Sequence, residues 1–100
     1  MDADAPADVL DDLFATIESR KADLPEGSYT TSLFTHEKGE NAVLEKLGEE
    51  GTEVVLAAKD DDDEELLAES ADLVYHLLVL LASKDLTIDD LRDELAARFG

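Results

Sequence analysis

Lys46-Leu-Gly-Glu-Glu-Gly-Thr-Glu53, followed sixteen residues later by Glu69-Ser-Ala-Asp72, decides how the rest of the chain is read. At 100° per residue, Lys46, Glu49, Glu50 and Glu53 fall within a sector of about 100° on a helix, one acidic stripe headed by a cation. Glu65, Glu69, Asp72 and His76 share a face of the second segment, and Val79 and Leu80 continue it. A solvated charged face stays polar to the helix end, whereas a stripe that turns apolar points into a helix bundle. Unpaired carboxylates in that setting carry a desolvation cost, and a divalent cation is the matching partner. Oxygen ligands suit Mg²⁺, with Mn²⁺ an alternative. Because Mg²⁺ commonly shares its coordination with substrate phosphates, the expected ligand is phosphorylated, and Lys46 stands one turn away to meet phosphate oxygens.

Spacing alone does not single these residues out, since Asp8/Asp11, Glu37/Glu40 and Asp90/Asp93 are also three apart. The stripes differ in lying mid-way along the two most apolar segments, where like-charge neighbours destabilise a helix unless compensated. A short antiparallel connection between the segments brings the stripes face to face.

Twenty-seven acids against eight bases give a net charge of −19, which opposes nucleic-acid binding. Apolar residues make up 44% of the chain and recur at helical spacing, so a folded all-α domain is expected rather than disorder. The acidity fits a surface adapted to a salt-rich cytosol, where screening relieves self-repulsion. There are no cysteines, hence neither disulfides nor a thiolate zinc site. The apolar run Leu77–Ala82 falls short of the roughly 20 residues of a membrane span, and the Asp-rich start is unlike a signal peptide. A soluble, cytoplasmic protein is expected, with no membrane partner.

In order, residues 1–5 read as frayed and 6–21 as a helix, with Pro6 in its first turn and Arg20-Lys21 at its C-terminal dipole. Leu24-Pro-Glu-Gly27 breaks it, Ser28-Tyr-Thr-Thr-Ser32 is a polar stretch able to cap the next element, and Leu33-Phe34 suggests a short helical turn. Residues 40–59 form the next helix, in which Gly48 and Gly51 suggest close approach of another helix, since each costs about 1 kcal/mol relative to Ala. Asp60–Asp63 lacks the glycine and spaced ligands of a calcium loop and instead separates this helix from another over residues 63–83. Thr87-Ile-Asp-Asp90 is a capping box with Asp in place of Glu, opening a last helix to about Phe99. The chain thus reads as one domain over residues 1–100, a four- to five-helix bundle completed by dimerisation or higher homo-oligomerisation.

Lys46-x-Gly-Glu-Glu-x-x-Glu53 with Glu69-x-x-Asp72 resembles the metal-binding signature of the all-α nucleoside triphosphate pyrophosphohydrolases, the MazG-like superfamily. Ser28-Tyr-Thr30 and Tyr75-His76 make the phosphoribosyl-ATP pyrophosphohydrolases of histidine biosynthesis the most similar family within it, over about residues 10 to 98. Gly51 departs from the alanine that the resemblance leads one to expect.

The resemblance implies Mg²⁺-dependent hydrolysis of phosphoribosyl-ATP, a nucleotide, to phosphoribosyl-AMP and pyrophosphate. Glu50, Glu53, Glu69 and Asp72 then hold the metal, and Glu49 orients or deprotonates the attacking water, with Glu49 and Glu50 interchangeable. Lys46, Lys59, Ser28, Tyr29, Thr30 and His76 are the substrate-binding candidates, the Ser28–Thr30 stretch from a loop, and Arg98 is a further basic residue. Tyr75 is expected to pack. Two alternatives stand open: a house-cleaning pyrophosphohydrolase for normal or damaged nucleoside triphosphates, and a non-enzymatic acidic helical interaction module.

Overall fold

The computed structural model describes residues 8–99, so Pro6 and the frayed start expected for residues 1–5 lie outside it. The described residues form five helices and no strand: α1 Val9–Asp23, α2 Tyr29–Phe34, α3 Glu40–Lys59, α4 Asp63–Ser83 and α5 Ile88–Phe99. An all-α bundle is thereby established, and the last three helices start and stop close to where the sequence places them.

The boundaries arise from local hydrogen-bonding chemistry. Asp8 caps α1, its carboxylate accepting from Asp11 N at 2.9 Å, and Leu24 closes that helix in the left-handed region at φ 48°. Ser28 caps α2 by accepting from Thr31 N at 3.3 Å. Between α3 and α4 the chain turns through Asp61 at φ 55°, and Asp62 caps α4 by accepting from Glu65 N at 3.1 Å. The capping box at α5 is reciprocal: Asp90 N donates to Thr87 Oγ1 at 3.0 Å, and Thr87 N donates to Asp90 Oδ2 at 2.8 Å.

The antiparallel α3/α4 hairpin is the spine, and α1 lies against α4. Phe14, Ile17, Leu33, Val43, Leu78, Val79, Ala82 and Ile88 bury the core at the end of the hairpin that holds the start of α3 and the end of α4. Lys21 fastens α1 there, donating to the carbonyl of Ala82 and to Asp85, each at 2.7 Å. Arg92 ties α5 to α1 through Asp8 and Asp11. The other half of the hairpin projects from this core, with Val55, Leu56 and Leu67 exposed at 60%, 50% and 72%.

α4 has the length and apolar composition of a membrane span. Its mid-helix carboxylates Glu69 and Asp72 would be costly at a bilayer centre. Leu78, Val79 and Ala82 of α4 enter the core, while Leu67 and Val74 stay exposed.

The two helical glycines do not serve as expected within the chain. A Cβ built at Gly48 or Gly51 meets nothing within 4 Å, because both face open space rather than a neighbouring helix.

Candidate functional site

The hairpin sets the α3 segment that carries Glu49, Glu50 and Glu53 beside the α4 segment that carries Glu65, Glu69 and Asp72, and Glu50 reaches His76 across it. Glu69 reports how crowded this acidic face is. Its carboxyl is pushed above the usual value, first by lost solvation, then by a hydrogen bond to Glu65 and by the charges of Glu65, Asp72 and Glu53. Carboxylates from both helices therefore feel one another across the hairpin.

Among the described residues, no three His, Asp or Glu side chains converge into a preformed metal cage. The donor chemistry nevertheless fits a hard divalent cation. The set is all oxygen, it carries excess negative charge, and the like-charge pressure on Glu69 is what a cation would relieve. Glu65 belongs to this cluster but is absent from the ligand set expected from sequence, although its i, i+4 spacing from Glu69 is a usable signal.

Glu50 is distinct from the other acids, with its side chain only 12% exposed. One carboxylate oxygen accepts from His76 Nδ1 at 2.7 Å. His76 Nδ1 also lies 3.0 Å from the carbonyl of Asp72, and because both partners are acceptors this nitrogen must carry a hydrogen. In the neutral ring, Nε2 is then an acceptor, and the Tyr29 hydroxyl donates to it at 3.1 Å. Tyr29, Tyr75 and His76 pack as an aromatic cluster, with the Tyr29 and Tyr75 rings stacked at 6.1 Å.

Glu49 points the other way, at 66% side-chain exposure, 3.7 Å from Lys46. Both line a cleft of about 300 Å³ between α2 and α3, whose walls include Tyr29, His36 and Glu45. A broader, more open depression continues along α3 past Gly48, Thr52 and Glu53. The enclosed part is at the small end of nucleotide-sized sites. His36 and Glu45 are additions that sequence reasoning misses, since nothing in their local spacing marks them.

The remaining candidates separate. Ser28, Tyr29 and Thr30 do not form a loop, because α2 begins at Tyr29. Ser28 is spent on the helix cap, and Thr30 is buried against the Tyr75 hydroxyl. Tyr29 alone of the three reaches the cleft. Tyr75 does pack, and also bonds through its hydroxyl. Lys59 is exposed at the end of α3, ten residues and hence about 15 Å of helix from Glu49, with no ion pair among the described residues. Arg98 pairs with Glu94 at 2.8 Å near the end of α5.

The sequence profile of the phosphoribosyl-ATP pyrophosphohydrolase family matches residues 10–99. A phosphoribosyl-ATP pyrophosphatase of Haloarcula marismortui is 74% identical over 96 residues, covering 96% of this chain and 98% of its own length. The protein of that name from Haloquadratum walsbyi is 63% identical, covering 97% of each chain. A relative of the same name from Limosilactobacillus fermentum is 50% identical over 91% of this chain and 84% of its own.

Proposed function

The chain belongs to the phosphoribosyl-ATP pyrophosphohydrolase family, and from that premise we propose that it hydrolyses phosphoribosyl-ATP to phosphoribosyl-AMP and pyrophosphate, a step of histidine biosynthesis. In this reaction water adds to phosphorus, the anhydride bond between the α- and β-phosphates breaks, and pyrophosphate leaves.

Glu53, Glu69 and Asp72, with the free oxygen of Glu50, are the residues we assign to Mg²⁺, and Mn²⁺ suits the same donors. A divalent cation held by these residues would supply charge stabilisation to the phosphate oxygens. Lys46 and Glu49 have the placement to act on the substrate directly. Lys46 is half exposed and can turn from Glu49 to a phosphate oxygen. Glu49, released from that weak pair, is free to orient or deprotonate the attacking water. Glu50 is engaged by His76, which favours Glu49 over Glu50 for that task. Tyr29 forms a wall of the cleft. Lys59 would reach substrate only across the open hairpin face.

The observation that best supports this assignment is the 2.7 Å hydrogen bond from His76 of α4 to Glu50 of α3, which joins the two signature segments across the hairpin. A competition assay of phosphoribosyl-ATP against dCTP and dUTP tests the substrate. Strong preference for phosphoribosyl-ATP is expected, and equal turnover of the three would refute the choice.

Homodimerisation is part of the same proposal. The Cα radius of gyration of 15.0 Å exceeds the roughly 13 Å of a compact 100-residue domain. Val9, Leu10, Leu67 and Val74 leave an apolar groove open between α1 and α4. We further assign the protein to the cytoplasm and its acidity to a salt-rich one.

A further inference from the structure

We propose that Tyr29 and His76 are positioning residues for Glu50, a hydrogen-bonded chain from the wall of the cleft to the acidic face, rather than substrate ligands in their own right. The inference rests on the proposed metal role of Glu50. Its geometry is Tyr29 hydroxyl to His76 Nε2 at 3.1 Å, then His76 Nδ1 to Glu50 Oε1 at 2.7 Å.

Each link constrains the next. His76 is 4% exposed, and its ring is held on one side by the Asp72 carbonyl one turn earlier on α4. That carbonyl and the Glu50 carboxylate both require a hydrogen on Nδ1, which in a neutral ring leaves Nε2 as the acceptor. The Tyr29 hydroxyl is then placed to donate to Nε2, holding the far side of the ring. Glu50 is thereby fixed through one oxygen, and the second oxygen makes no hydrogen bond among the described residues. A carboxylate anchored in this way meets a cation without first losing its rotational freedom, and loss of such an outer partner commonly weakens metal affinity about 10- to 100-fold. Asp72 is joined to the same ring through its backbone carbonyl, so His76 also ties the α4 end of the signature to the α3 end.

His76 itself cannot be a principal substrate contact. Both ring nitrogens are occupied within the fold, and neither cleft that carries Lys46 or Glu49 includes it. Tyr29 is different, at 52% exposure, and links the cleft to the buried ring. Since Tyr29 and Ser28 start α2, a shift of this short helix on substrate entry would be felt at Glu50 through two hydrogen bonds.

The test is direct binding of Mn²⁺, read by electron paramagnetic resonance on the folded full chain in molar KCl without nucleotide. Two replacements of His76 separate positioning from bulk. The amide nitrogen of Asn lies near the place of Nδ1, so His76→Asn keeps the donor to Glu50, while the longer His76→Gln places its amide nearer Nε2 and loses that donor. His76→Gln is expected to weaken Mn²⁺ about 10- to 100-fold, with His76→Asn retaining most of the affinity. Tyr29→Phe is expected to weaken it several-fold while the Nδ1–H tautomer persists in the ¹⁵N spectrum of His76, since Glu50 and the Asp72 carbonyl still hold that hydrogen. Equal losses in His76→Asn and His76→Gln, or wild-type affinity in Tyr29→Phe, would overturn the proposal. Glu53→Gln serves as the control. Its failure to reduce Mn²⁺ binding would overturn the metal assignment itself, a result distinct from failure of the positioning chain.

Discussion

Gly51→Ala should stabilise the protein, by an amount that the structure allows to be worked out. Gly51 lies inside the 20-residue helix α3, in ordinary helical geometry rather than at positive φ. Glycine in a helix interior is about 0.8–1.0 kcal/mol less favourable than alanine because it loses more backbone freedom on folding. A Cβ at this position meets nothing within 4 Å, so no packing gain adds to that figure and no clash subtracts from it. The expected gain is about 1 kcal/mol, which for a domain of this size raises Tm by about 4–8 °C. Thermal unfolding followed by circular dichroism, in molar KCl and at matched protein concentration, measures it, the concentration being fixed because association shifts apparent stability. Gly48→Ala should gain as much in Tm, since its Cβ is equally clear, but should raise KM because Gly48 lines the depression beside Glu49 and Glu53. An unchanged or lowered Tm in Gly51→Ala would refute the reasoning, because it would mean that the space beside Gly51 is filled when the protein is folded.

Glu53→Gln and Asp72→Asn should each abolish Mg²⁺-dependent turnover while leaving the far-ultraviolet circular dichroism and Tm near those of the wild type; near-normal activity in either would remove it from the metal set. Thr87→Ala should cost about 1 kcal/mol, read by denaturant unfolding, because it deletes one half of the reciprocal cap with Asp90. Arg92→Gln should lower Tm at neutral pH and lose its effect in acid. Arg92 holds the Asp11 carboxyl below its usual 3.8, and a depressed carboxyl stabilises the fold above that value and ceases to do so as pH falls through the lower folded one. The Tm difference between wild type and Arg92→Gln should therefore be full at pH 7 and close below about pH 4, and a difference that persists unchanged into that range would contradict the assignment.

Much of the fold was legible because its punctuation is local. The Asp60–Asp63 run and the Thr87–Asp90 box carry their own capping donors and acceptors, so α3, α4 and α5 end and begin where the residues say they do. α1 runs two residues beyond the expected Lys21, because the left-handed turn at Leu24 rather than the basic pair ends it. Lys21 serves the end of α4 instead, a contact 61 residues distant that helix-dipole reasoning on one segment could not reveal. Ser28 is recognisable as a cap from sequence, but the cap starts α2 early enough to draw Thr30 into the core and leave Tyr29 as the one residue of Ser28–Thr30 at the cleft.

The site was legible to the level of faces. Helical phase put Glu49, Glu50 and Glu53 on one stripe, yet a stripe about 100° wide spans two different environments. One edge meets His76 and the other meets solvent, which is why Glu50 and Glu49 could not be told apart by spacing. The tautomer of His76 and the tie to Tyr29 depend on side-chain geometry between three helices. The glycines mislead for a related reason: sequence shows that a side chain is missing, but not whether a neighbour or empty space stands opposite.

The most direct measurement of the central claim is pyrophosphate release from phosphoribosyl-ATP in molar KCl, with Mg²⁺ and with the metal removed by chelation. Fast release that needs Mg²⁺, and that Glu53→Gln abolishes, is the predicted result. Release that continues at the same rate after chelation, or none from a demonstrably folded sample with Mg²⁺ present, would contradict the assignment of the facing carboxylates to metal-assisted hydrolysis.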